Sequence, residues 1–350
     1  MRILLSNPRG FCAGVAMAVE VVDRLTNLID GPIYVFHDIV HNTHVVSRLE
    51  AKGVIFTEDI PSIPDNSVLV FSAHGVSPEV REAAANQNLR TIDATCPLVT
   101  KVHAEAVRYA NLGLEILLIG HADHQEVIGT YGEAPESIRI IESEDDAKSV
   151  SVQDPSNLVY LTQTTLSTDD AEKIISILED RFPLIKGPPG EDICYATTNR
   201  QGVVAAYARS VDRVLVIGSS NSSNSVRLAE IAENRGTPAC RIDDLRELDD
   251  DFVLGAESVL VTAGASAPED LVQQVISHFV TLYGASVEVI DAPGEGMKFP
   301  LPRSMRKIMK ENGAQIPRGG ISVDADGKTR DWMDQSGIPF IPITAEGNSI

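Results

Sequence analysis

Short apolar runs alternate with longer stretches of helical period from the first residues to about Pro293, the pattern of parallel α/β units. The runs predict strands at 2–5, 33–36, 68–71, 116–119, 158–161, 214–217 and 258–261, with a helical stretch after most of them. The segment 167–182 is a well-marked helix: Ser167 and Asp170 stand in capping-box spacing, and Ile174, Ile175, Leu178 and Phe182 share one face.

Four of these strands run into small polar clusters ahead of a helix: SAHGVSPE from Ser72, GHADHQE from Gly120, GSSNSSNS from Gly218 and TAGASAPED from Thr262. Open α/β sheets bind ligands beyond the carboxyl ends of their strands, so these clusters are the expected pocket walls. Cys12, Cys96 and Cys194 lie 84 and then 98 positions apart, each just ahead of a helical stretch. That spacing suggests three α/β units of roughly 90 to 100 residues, each giving one cysteine to a shared centre. The expected units are 1–95, 96–188 and 189–292, with the second boundary in the Pro- and Gly-rich stretch KGPPG at 186–190. Beyond Pro293 the alternation fades, and 293–350 is expected to be a partly irregular extension, loosely ordered or packed on the surface.

Composition narrows the function classes. The 350 residues carry a formal charge of −21, which opposes binding to phosphate backbones or anionic lipid; no nucleic-acid or membrane-surface role is expected. The N-terminal apolar run is too short for a signal peptide, and no stretch approaches the roughly 18 apolar residues of a spanning helix. A cytoplasmic protein is expected, and there cysteines are more often catalytic or metal-bound than disulfide-linked.

An isolated intracellular cysteine is most often a packed small side chain, and Cys240, in TPACRID, is read that way. The contexts GFCAG, ATCPLVT and DICYATTNR point elsewhere: a thiolate at a helix N-terminus is a competent soft-metal ligand. A closed zinc site takes a fourth protein ligand and usually uses close pairs such as C-x-x-C, which are missing, so three single cysteines suit an iron-sulfur cluster better. His41, His74 and His124 lie in the strand-end clusters or at helix starts; His37, His44, His103, His121 and His278 rank lower, with His103 and His278 expected on helix faces. Ser222, Ser223, Asn224 and Ser266 are either ordinary helix caps or, with nearby backbone N–H groups, an anion site. Glu126, two residues after His124, is either a proton donor or an acid complementing a helix dipole. The chain contains neither a P-loop nor a G-x-G-x-x-G motif.

Taken together, NPRGFCAGV (7–15), SAHGVS (72–77), DATCPLVTKVH (93–103), GHADHQEV (120–127), TQTTLS (162–167), DICYATTNRQ (192–201), GSSNSSNSVRLAE (218–230) and TAGASAPEDLV (262–272) resemble the LytB/IspH family of 4-hydroxy-3-methylbut-2-enyl diphosphate reductases. The resemblance runs from Met1 to about Arg306. It implies a trefoil of three small α/β domains around a central 4Fe-4S cluster held by Cys12, Cys96 and Cys194, with one iron open to substrate. It implies an oxidoreductase of isoprenoid biosynthesis that removes the hydroxyl of an allylic diphosphate, yielding isopentenyl and dimethylallyl diphosphates in the last step of the methylerythritol phosphate route. Glu126 and Thr164 would then surround the hydroxyl, with His124 assisting, and His41, His74, His124, Ser222, Ser223, Asn224 and Ser266 would hold the diphosphate.

Electrons would come from ferredoxin or flavodoxin. Such donors are usually acidic, so docking on this acidic chain calls for a basic patch; Arg303, Arg306, Lys307 and Lys310 are candidates, although a solvated surface run is the favoured explanation of them. Two other readings of the same residues are a three-cysteine zinc hydrolase with Glu126 as base, and an iron-sulfur or diphosphate-binding protein without turnover.

Overall fold

Three separate parallel sheets form the framework of the computed structural model, which describes residues 1–290, 295–317 and 319–322. The first has four strands in the order Val54–Thr57, Ile33–Phe36, Val68–Phe71, Arg90–Asp93. The second has three, with Glu115–Ile119 between Ile138–Ile141 and Leu158–Thr162. The third has five, in the order Ala239–Ile242, Arg213–Ile217, Ser258–Ala263, Arg2–Leu5, Ser286–Val289. Every pairing within these sheets is parallel. The apolar runs explain this: Val214, Leu215, Val216 and Ile217 are all fully buried, as strands covered by helices on both faces must be.

One strand departs from the expected division. Arg2–Leu5 belongs to the five-stranded sheet, pairing with Ser258–Ala263 and Ser286–Val289, so the stretch 1–95 is not one unit around its own sheet. Its uninterrupted apolar pattern suits a central position with a neighbour on each side, which strands 33–93 do not provide. The expected linker is also anchored rather than free: Lys186 bridges Val159 alongside the second sheet.

The extension differs too. Lys298–Phe299 pairs antiparallel with Ile321–Ser322, and the helix Arg303–Glu311 lies between them. Phe299, Leu301, Met305, Ile308, Met309 and Ile321 are buried in the same core cluster as Met17, Val21 and Leu25 of the helix Ala13–Leu28. The apolar positions 305, 308 and 309 form a helical stripe, while Arg303, Lys307 and Lys310 are exposed and Arg306 is partly buried, so this part of the extension is core rather than loose surface. The rest of the extension, 293–294, 318 and 323–350, lies outside the described residues.

Candidate active site

All three cysteines stand immediately before helices. Cys12 precedes Ala13–Leu28 and its Sγ accepts a hydrogen bond from the Val15 amide at 3.5 Å. Cys96 precedes Pro97–Asn111, where the proline, lacking an N–H, suits the first helical position. Cys194 precedes Tyr195–Tyr207, and its Sγ lies 3.2 Å from the Thr197 hydroxyl. The three thiols line one cavity of about 100 Å³. Gly14 makes their approach possible: a Cβ there would sit 2.6 Å from the Cys96 Sγ and 3.9 Å from the Cys12 Sγ. Burial pushes all three thiols up, Cys194 to about 11, and charge on Cys12 raises Cys96 and Cys194 further. The amides at the three helix starts pull the thiols down, as expected of helix ends, but burial outweighs them.

The opposite wall comes from the strand-end clusters. His124 caps the helix Gln125–Glu133, its Nδ1 accepting from the Glu126 amide at 3.2 Å, which sends Glu126 inward to 2 % exposure. There the Glu126 carboxylate accepts the Thr164 amide at 2.6 Å and the Thr164 hydroxyl at 2.9 Å. Burial pushes the Glu126 carboxyl up to about 7, even though both Thr164 bonds pull it down. The rings of His41 and His74 stack with centroids 3.9 Å apart, and His124 meets His41 edge-on at 5.3 Å. Burial and mutual repulsion hold these rings neutral, His41 at about 3 and His124 at about 4, with His74 also well below its ordinary value.

Ser222, not Ser223 or Asn224, caps the helix Ser223–Asn234. Ser266 donates to the His41 carbonyl at 2.8 Å, Ser223 donates to the Thr165 carbonyl at 3.3 Å, and Asn224 Oδ1 accepts the Ala265 amide at 3.0 Å. That leaves Asn224 Nδ2 and His41 Nδ1 buried with no hydrogen-bond partner in the protein, both on residues that line the cavity. Every site residue expected from the sequence lines this cavity: Cys12, Cys96, Cys194, His41, His74, His124, Glu126, Thr164, Ser222, Ser223, Asn224 and Ser266.

The LytB protein model matches residues 3–280. The chain belongs to the LytB family. A 4-hydroxy-3-methylbut-2-enyl diphosphate reductase of Acidothermus cellulolyticus is 49% identical over 324 residues, 92% of this chain and 95% of that protein. One from Azoarcus sp. is 50% identical over 305 residues, covering 87% and 98%. Among solved structures, the E-1-hydroxy-2-methyl-but-2-enyl-4-diphosphate reductase from Plasmodium falciparum superposes with a TM-score of 0.87 at 39% identity, covering 89% of this chain and 99% of that one. A second, described as the terminal enzyme of the non-mevalonate pathway, gives 0.58 at 29% identity, covering 81% and 100%.

Around the site, this LytB chain also has residues that the sequence pattern ranked low or passed over. His37 pairs with Glu58 and turns its ring toward His41 and His74, with centroids 5.6 and 6.0 Å away. Its signal was the spacing HDIVH, four residues ahead of His41. Ring nitrogens of His37, His41 and His74 lie within 4.8 Å of one another. Lys101 donates to the Gly190 and Glu191 carbonyls and to Asp192 at 3.1 Å, while Asp192 accepts the Thr162 amide at 3.1 Å. One lysine on the Cys96 helix thus ties down the loop that ends at Cys194. Cys240 sits half-buried on Ala239–Ile242, away from the cavity lining, as a packed residue of the five-stranded sheet's core.

Proposed function

We propose that this chain is a 4-hydroxy-3-methylbut-2-enyl diphosphate reductase, an oxidoreductase of the non-mevalonate isoprenoid route. It takes (E)-4-hydroxy-3-methylbut-2-enyl diphosphate, two electrons and two protons, and releases water with isopentenyl or dimethylallyl diphosphate. The observation that carries the reading is the meeting of three thiols, a buried acid and an anion-binding wall in one cavity, in a chain whose relatives bear that name.

The residues fit an iron-sulfur cluster. Three thiols converge on one cavity, a donor set suited to a soft metal group, and Gly14 keeps a cradle that a Cβ would fill. Among the described residues, the three sulfurs do not form a group whose ligand atoms all lie within 4.8 Å of one another, as thiolates about 2.3 Å from a single zinc would. That favours a 4Fe-4S cluster held by Cys12, Cys96 and Cys194 over the zinc hydrolase reading. Bound there, it would supply the electrons and a Lewis-acidic iron for the substrate's hydroxyl.

The chain's own residues do the rest. Glu126 holds a proton at its carboxyl near neutral pH, because burial keeps the acid half neutral there, and delivers it to the departing hydroxyl. Thr164 fixes that carboxyl from two sides and offers its hydroxyl to the substrate. Asn224 Nδ2 and His41 Nδ1, otherwise without partners, bind the diphosphate together with His74, His124, Ser222, Ser223 and Ser266. The anion in turn raises the basicity of the imidazoles and draws protons onto them. Ferredoxin or flavodoxin is the proposed electron donor, docking on the exposed Arg303, Lys307 and Lys310 of the outer helix face, with Arg306 partly buried beside them.

The same proposal includes three units meeting at the cavity, amended so that strand Arg2–Leu5 completes the third. No described helix is long and apolar enough to cross a membrane. The test is anaerobic turnover of the hydroxylated diphosphate with a strong one-electron reductant. Isopentenyl and dimethylallyl diphosphates are the expected products; a cluster-loaded protein that returns the substrate unchanged would favour the binding-protein reading.

A further inference from the structure

Arg200 is buried completely, at 0 % exposure, on the helix that starts after Cys194. Its guanidinium is spread over three separate segments. Nη2 donates to the carbonyl of Gly10 at 2.8 Å, two residues before Cys12. Nη1 donates to the carbonyl of Ala196 at 2.9 Å, two residues after Cys194. Both terminal nitrogens reach Glu295, at 2.7 Å and 3.4 Å, in the segment beyond the five-stranded sheet. A second bond closes the same junction: the Ala13 amide donates to the Tyr195 hydroxyl at 3.3 Å, joining the residue after Cys12 to the residue after Cys194.

A fully buried cation is costly unless its surroundings need it. Glu295 is the one carboxylate that the guanidinium meets among the described residues, and at 13 % side-chain exposure it keeps some solvent. The guanidinium is fully buried and bonded to the Gly10 carbonyl beside Cys12, whereas Glu295 keeps some exposure, so solvent weakens the carboxylate's charge more than the arginine's on the Cys12 side of the cavity.

We propose that Arg200 is a positioning residue for the metal centre and sets its reduction potential. The guanidinium fastens the two chain segments that enter at Cys12 and Cys194, and its charge, partly cancelled by Glu295, favours the more negative, reduced state of the centre. This rests on the reading that Cys12, Cys96 and Cys194 hold an iron-sulfur cluster. A purely mechanical role gives no reason for opposite shifts: Arg200→Gln releases Gly10, Ala196 and Glu295, and Glu295→Gln loosens only part of the same junction. An electrostatic role makes them opposite: Arg200→Gln removes the positive charge, and Glu295→Gln removes its screen.

The experiment is a redox titration followed by electron paramagnetic resonance on anaerobically purified wild type, Arg200→Gln, Arg200→Lys and Glu295→Gln, with iron and acid-labile sulfide measured on each. At a fixed potential, Arg200→Gln should lower the reduced-to-oxidised ratio about tenfold, equivalent to about 59 mV for a one-electron couple. Glu295→Gln should raise that ratio, by about threefold, and Arg200→Lys should stay within about threefold of wild type. Shifts of the same sign in Arg200→Gln and Glu295→Gln, or none in either, overturn the proposal. If Arg200→Gln does not load, the sign in Glu295→Gln decides alone. Wild type without iron and sulfide would instead sink the cluster reading itself, so the two failures are distinct.

Discussion

Two cavities border the chain segment that leads into Cys194, and they differ in the opposite way from what size suggests. The cleft lined by Asp169, Glu172, Ile175, Glu191 and Ala205 holds about 570 Å³, whereas the cavity shared by the cysteines and histidines holds about 100 Å³. The cleft is acidic and apolar by turns, and its Asp192 is already satisfied by Lys101 and the Thr162 amide. In the smaller cavity the polar groups converge and several remain unsatisfied: three thiols held up by burial, an acid near neutrality, and orphaned nitrogens on His41 and Asn224. Convergence of unsatisfied chemistry, rather than volume, marks the site.

The same substitution made in each cavity sharpens the contrast. Gly14 and Gly202 both lie in helices. A Cβ on Gly14 would strike Cys96 Sγ at 2.6 Å, whereas a Cβ on Gly202, which lines the cleft, meets nothing within 4 Å. Gly14→Ala should keep helical circular dichroism but lose the metal, measured as bound iron; full iron content would mean that the thiols tolerate displacement.

Next in size, Glu126→Gln should keep iron and substrate affinity while turnover falls on the order of 10²-fold. The wild-type pH profile carries the same information. With the buried carboxyl near 7, the protonated donor is present below that value and lost above it, so turnover should decline as pH rises through about 7. The histidine wall has the opposite sign. With His41 at about 3 and His124 at about 4 the rings are neutral at pH 7, and an entering diphosphate that raises them to near neutrality brings protons with it. Calorimetry of inorganic diphosphate binding in buffers of different ionisation enthalpy should register proton uptake, larger at pH 6 than at pH 8. Buffer-independent heats would mean that the rings meet the anion as neutral N–H donors, without gaining protons.

On the cleft side the effects are structural. Lys101→Met leaves the buried Asp192 carboxylate without its cation, and with Lys101 a third exposed the cost should be about 2 kcal/mol in denaturant unfolding. Gly202→Ala should gain up to about 1 kcal/mol through helix propensity, with turnover unchanged. A large loss of activity there would make the cleft part of the functional site after all.

Much of this was legible in the chain. Val68–Phe71 is four consecutive buried apolar residues, and Ser167 caps Thr168–Arg181 by accepting the Asp170 amide at 3.2 Å, although Asp170 does not complete the box. Arg90–Asp93 was harder to see, because only Ile92 in that edge strand is buried. The sheet that takes in Arg2–Leu5 was not readable, since its partners lie more than 250 residues away and no local pattern encodes them. Site residues in small polar clusters were visible because their residue types are specific to chemistry. Arg200, Lys101 and His37 were not, because their meaning comes from what they touch across the fold. The extension misled for a related reason: its basic residues dominate the string, while Met305, Ile308 and Met309 reveal their common buried face only once the helix is wound.

Cys12, Cys96 and Cys194 are proposed to share one iron-sulfur centre from which Cys240 is excluded. Iron and acid-labile sulfide, counted together on anaerobically prepared wild type and the four single Cys→Ser variants, test it most directly. The account expects about four of each per wild-type chain, loss in Cys12→Ser, Cys96→Ser and Cys194→Ser, and wild-type content in Cys240→Ser. Zinc without sulfide in the wild type, or loss confined to Cys240→Ser, would contradict it.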